Sequence, residues 1–130
     1  MKYLCLVYLE ESKLEALSKS EFDRLADRSL ANNDALRKSG HFIAAQALEF
    51  VRDAVTVRVR KGTVSVTDGP FAETKEQLGG FLLIEAKDLD DAIQVVQKTP
   101  MASFGSIEVR PVRELIPSGE RQMNAGKGEA

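Results

Sequence analysis

Asp68, His41 and Glu73 are the side chains of this chain whose types suit proton transfer or ligand binding. Asp68 opens the stretch Asp68-Gly69-Pro70-Phe71-Ala72-Glu73-Thr74-Lys75-Glu76-Gln77-Leu78-Gly79-Gly80-Phe81, which joins a tight turn, ionisable groups and a paired-glycine strand entry. A carboxylate at such a turn can act as general base or hold a substrate amine. It can equally bond back to nearby amides and hold the turn, one oxygen sufficing and the other staying free. Gly69 tolerates positive φ and must avoid αR because it precedes a proline, while Pro70 fixes the exit. Glu73 lies nearest the turn among the loop charges Glu73, Lys75 and Glu76. Loops on rigid scaffolds often carry sites, although a charge run is also the ordinary look of a solvated surface.

His41 is the only histidine and the side chain whose unperturbed pKa lies near neutrality, so it is an acid-base candidate; the plain alternative is a surface histidine. One histidine and one cysteine, Cys5, leave no typical protein-ligated zinc site, and no Ser-His-Asp triad is spelled out by spacing. Tyr8 and Phe71 are placed to frame an apolar pocket with a polar rim, or to be simple core. Gly79-Gly80 lacks the spacing and following helix of a nucleotide-binding cradle. No cofactor is therefore expected.

These residues depend on a clear alternation of elements. Residues 3–9 are apolar throughout, as in a strand covered on both faces. A short helical turn at Lys13–Ser18 and a longer helix from about Glu21 to Ser39 follow, the latter with Ser20 and Asp23 as a near capping box and Gly40 as its stop. His41–Leu48 reads as a strand. Residues 55–60 alternate strictly, Lys61-Gly62 turns, and Thr63–Thr67 returns with Val64 and Val66 on a buried face. This hairpin delivers the chain to Asp68. A strand at Phe81–Ala86 comes next, then a helix capped by Asp88 and ended by Thr99-Pro100, then a last strand at Gly105–Arg113.

Strand, helix, strand, hairpin, strand, helix, strand is the order of an α+β, ferredoxin-like split βαβ fold with an inserted β-hairpin. Both helices then cover one face of one antiparallel sheet. The uniformly apolar first strand implies that the other face is covered too, and a second copy packed sheet to sheet would cover it. Residues 1–115 form the expected domain. Residues 116–130, small, polar and glycine-rich, are expected to be a flexible tail or one ordered by a partner.

Composition narrows the classes of function. A chain of 130 residues with 43% hydrophobic and 29% charged residues suits one soluble domain with a real core. The formal charge of −2 gives no general attraction to nucleic acid or anionic membrane. Cys5 excludes an internal disulfide and, inside an apolar run, is expected to be a buried, inert thiol. The first apolar run is too short for a signal peptide and meets Glu10-Glu11 at once, so the expected compartment is the cytoplasm.

The Asp68-Gly69-Pro70-Phe71 string, with Thr56-Val57-Arg58-Val59-Arg60 before it, Leu82-Leu83-Ile84-Glu85-Ala86 after it and Glu108-Val109-Arg110-Pro111-Val112 near the end, resembles the YCII-related proteins of the Asp-Gly-Pro-Phe motif subgroup. That resemblance covers most of residues 1–115 and implies a dimeric α+β barrel, hence a homodimer. It also implies an acid-base pair of a first-helix histidine and an aspartate. Here Asp27-Arg28-Ser29-Leu30-Ala31 places Ser29 where that histidine stands. The mechanism does not carry over, and Ser29 becomes a residue expected to line a cavity and touch a ligand. Asp68 with His41 would replace the pair only if the fold joins them. Two functions follow: a cofactor-independent enzyme or binder for small molecules, with its pocket near the Asp68–Phe71 turn, or a non-catalytic dimeric accessory protein. The resemblance links the second to extracytoplasmic-function sigma factors, hence to a sigma-factor-linked partner.

Overall fold

The computed structural model describes residues 1–120; the greater part of the expected tail, residues 121–130, lies outside them. Its centre is β1 (Lys2–Leu9), flanked by β5 (Gln77–Glu85) and β6 (Ser106–Pro111), with β2 (Phe42–Ala47) beyond β5. The four strands run in the order β2-β5-β1-β6, and each neighbouring pair is antiparallel. That is the ferredoxin-like split βαβ arrangement expected from the element order. Between β2 and β5 the chain inserts β3 (Val55–Arg60) and β4 (Thr63–Asp68), which pair only with each other as a separate hairpin.

The α-helices among the described residues are α1 (Glu11–Glu15), α2 (Lys19–Ser39), α3 (Leu89–Gln97) and α4 (Pro100–Phe104), and a single 3-10 turn spans Val51–Asp53. The capping box of α2 sits two residues before the expected one. Ser18 Oγ accepts from the Glu21 amide at 3.1 Å and Glu21 Oε1 accepts from the Ser18 amide at 2.9 Å. Glutamate three residues on reaches back to the cap amide, whereas the shorter Asp23 pairs instead with Lys19. The Ser18 bonds hold the Glu21 carboxyl below the usual range. Asp88 caps α3 as expected, accepting from the Asp91 amide at 2.9 Å.

Alternation along the strands sorts the sheet into two faces. Tyr3 and Cys5 of β1, with Leu82 and Ile84 of β5, point at the helices and are buried against Leu36 of α2 and Ala92, Val95 and Val96 of α3. Burial pushes the Cys5 thiol up to about 11, so it is packed as a small hydrophobe and poorly reactive. Leu4 and Leu6 face the other way beside their partners Leu83 and Phe81, and all four are half-buried. Glu108 and Arg110, paired at 2.7 Å, edge this open face. Among the described residues, no helix is long and apolar enough to cross a membrane.

The hairpin departs from expectation. Val64 and Val66 are 62% and 63% exposed, and their partners Val59 and Val57 are 56% and 59% exposed. Alternation correctly sorted the two faces, but nothing within the described residues covers the apolar one. The face turned toward the body is the polar one. There the Thr56 hydroxyl donates to the Gly69 carbonyl at 3.0 Å, and the Arg58 guanidinium lies 5.7 Å from the centre of the Phe71 ring.

Candidate functional site

A cleft of about 620 Å³ opens at one end of the sheet. Tyr8 and Leu78, cross-strand partners on β1 and β5, line it. The segment after β2 adds Leu48, Glu49, Phe50, Val51, Asp53 and Ala54, and the loop after β4 adds Pro70, Phe71, Ala72 and Thr74. Ladder pairing places these segments: the Leu48 amide donates to the Gly79 carbonyl at 2.9 Å, and the Glu11 carboxylate accepts from the Val51 amide at 2.9 Å. The walls are largely apolar, with Glu49, Asp53, Thr74 and Gln77 as polar groups. The Tyr8 hydroxyl makes no hydrogen bond to a described residue, which leaves it as a donor and acceptor for a guest. The space between sheet and helices is filled by the core.

Tyr8 and Phe71 thus stand where the sequence put them, although Phe71 is 80% exposed. Asp68 and Glu73 are exposed and do not line the cleft, and Ser29 is a half-buried position in the middle of α2, away from it. The Asp68 carboxylate makes no hydrogen bond to a described residue, so the expected side-chain turn is absent. Its natural partner would be the amide two residues on, and that residue is Pro70, which has no N–H. The turn is held by backbone instead: the Gly69 amide donates to the Ala54 carbonyl at 2.8 Å, with Gly69 at φ 99°. Asp68→Ala is therefore expected to change stability by no more than about 0.5 kcal/mol. A drop well beyond that in chemical denaturation would show that the side chain holds the turn after all.

His41 does not meet Asp68. It precedes β2 at the end of the sheet where the Glu85 amide donates to the His41 carbonyl at 2.8 Å, whereas Asp68 lies beyond the opposite end of β2. Six residues of strand put roughly 20 Å between those ends. The histidine instead sits between Ser39 and Asp91. Its Nδ1 is 2.7 Å from Ser39 Oγ, and its Nε2 is 3.2 Å from each Asp91 carboxylate oxygen. The sequence reading missed Asp91 because the partner comes from 50 residues away, across the sheet.

This trio has the composition of a nucleophilic relay, and its neighbours are bound into a wider network of hydrogen bonds. The amides that would hold an oxyanion are taken: Gly40 donates to Arg37, His41 to Leu36, and Lys87 to Asp91. Ser39 Oγ also donates to the Leu36 carbonyl at 3.1 Å. The network ties the end of α2 to the start of α3, and the Lys87 amide, ahead of His41, holds the Asp91 carboxyl below its usual range.

Among the loop charges it is Glu76, not Glu73, that turns inward. Glu76 Oε2 accepts from Ser106 Oγ at 3.5 Å, while its Oε1 is buried without a hydrogen-bond partner among the described residues. Glu76 does not line the cleft, but Thr74 and Gln77 on either side of it do.

A curated relative from Rhizobium meliloti (strain 1021), itself of uncharacterised function, is 40% identical over 119 residues, covering 90% of this chain and 96% of that protein. Among solved structures, 5-chloro-2-hydroxyhydroquinone dehydrochlorinase from Burkholderia phenoliruptrix AC1100, in complex with 2,5-dihydroxybenzoquinone, is similar with a TM-score of 0.51. It is 19% identical, and the match covers 88% of this chain and 96% of that one, a likeness of fold. The YCII-related domain model matches residues 1–116, and the chain belongs to the YCII-related family.

Proposed function

We propose that this protein is a homodimeric binder or cofactor-independent enzyme for small, flat, hydroxylated molecules, of the Asp-Gly-Pro-Phe subgroup of its family. The observation that carries this reading is the cleft at the end of the sheet. Its apolar walls and sparse polar groups are the usual make-up of a small-molecule site. The unpartnered Tyr8 hydroxyl supplies a directional contact at its floor. The dehydrochlorinase of similar fold, solved with a dihydroxybenzoquinone, adds an analogy at the level of fold. The open sheet face of Leu4, Leu6, Phe81 and Leu83 supports the dimer, since it is continuous with Tyr8 and Leu78 at the cleft.

A screen of hydroxylated aromatic acids and quinones by thermal shift, followed by calorimetric titration of the hits, tests the reading. Tyr8→Phe is expected to weaken a hit about tenfold, the scale of one lost hydrogen bond. Tyr8→Phe binding every hit with unchanged affinity would remove Tyr8 as the contact. A second reading, a non-catalytic accessory protein with a sigma-factor-linked partner, is favoured by the hydrogen-bonded state of His41 and by Ser29 in α2. Binding without turnover of any hit would favour it over the enzyme.

A further inference from the structure

The hairpin β3–β4 is built the wrong way round for a lone chain. Its polar face, with Thr56 and Arg58 half-buried, is turned inward, while Val55, Val57, Val59, Val64 and Val66 face out at 56–63% exposure. Cross-strand pairing of Val57 with Val66 and of Val59 with Val64 makes those side chains one continuous stripe. An isolated two-stranded hairpin is marginal in water, and contiguous apolar patches of several hundred Å² are rare on monomers unless they bind something.

We infer that the stripe of one chain packs on the same stripe of a second copy, the two hairpins running in opposite directions, so that each hairpin tip reaches the other chain's cleft. This rests on the homodimer proposed above and gives the partner a place in the site.

Three observations choose a second copy as the occupant. The five valines carry no charge, and the one charged side chain on their face, Asp68 opposite Val55, lies at the base, so that in opposed copies it faces the partner's basic tip and not the partner's Asp68. Such faces stack about 10 Å apart, as between the layers of a β-sandwich. Next, residues 121–130 have Met123 as their only large apolar residue, too little to cover five valines. Last, charge fits. The tip carries Arg60 and Lys61, and the cleft carries Glu49 and Asp53 at the hairpin's base. Within one chain, tip and base are separated by six residues of strand, roughly 20 Å. Opposed hairpins of that length bring each tip onto the partner's base. The stripe alone falls short of the roughly 800 Å² per partner of a stable interface, and the open sheet face supplies the remainder. The cleft thereby gains cations that its own walls lack, which suits an anionic or phenolate ligand.

The test uses the full chain. Isotopically heavy and light protein are mixed by joint refolding, treated with a water-soluble carbodiimide that joins amines to carboxylates, and digested for mass spectrometry. Heavy–light peptides joining Lys61 to Glu49 or Asp53 are expected, and they should be lost in Val57→Lys, which sets like charges against each other on the stripe. Sedimentation is run on the same samples. A wild-type dimer whose Lys61 couples only within its own chain, or to other carboxylates of the partner, overturns the inference and leaves the dimer standing. A wild-type monomer overturns both.

Discussion

Gly105→Ala is expected to destabilise the protein by about 3 kcal/mol and to distort the cleft together with the core. Gly105 links α4 to β6, and a Cβ placed there would meet the Tyr8 carbonyl oxygen at a clashing distance, with the Leu9 Cα at 3.3 Å. Both obstacles are backbone of the central strand, so no side-chain rotation relieves them. β1 must shift at the step where its register to β5 is already irregular, between Val7 and Tyr8. Overpacking of a tight site costs about 1–3 kcal/mol when side chains can yield, and backbone against backbone belongs at the upper end. Because Tyr8 lines the cleft, ligand affinity should fall along with the denaturation midpoint. A Gly105→Ala protein of wild-type stability would mean that β6 can move away from β1 at little cost.

The sequence carried the fold further than the site, for physical reasons that particular residues make plain. Alternating and continuous apolar runs report burial directly, so strand order, the Asp88 cap and the sorting of hairpin faces were all legible. The α2 cap was read two residues late because Ser18-Lys19-Ser20-Glu21 offers two serines, and only side-chain reach separates them. The trio of Ser39, His41 and Asp91 could not be read at all: it exists only once the sheet brings residue 91 beside residue 41. Asp68 misled for a local reason, since an Asp-Gly-Pro string signals a turn while its proline removes the amide that the aspartate would bind. The valine stripe was legible as an apolar face, but the sequence alone could not say that no described residue covers it.

Leu6→Asp is expected to convert the proposed dimer into a monomer, the largest single change in assembly that one residue should cause. Leu6 sits mid-strand on β1 with Phe81 on one side and Glu108 on the other, on the face turned away from the helices. In a lone chain this side chain is half-buried, so a carboxylate there keeps partial access to water, although Glu108 beside it adds like-charge repulsion. Folding should suffer by about 1–2 kcal/mol, within the usual range for single substitutions. In a sheet-to-sheet dimer the same carboxylate is sealed among apolar side chains of two copies, twice over by symmetry, and an unpaired charge in such a place costs several kcal/mol. Dissociation should therefore run well ahead of unfolding. Sedimentation velocity at micromolar concentration should show a folded monomer for Leu6→Asp and a dimer for the parent, with circular dichroism of the two alike. Leu6→Asp remaining a dimer would move the interface off this face. In that case the hairpin stripe, whose own variant Val57→Lys probes it separately, would be the remaining apolar surface able to hold two copies together.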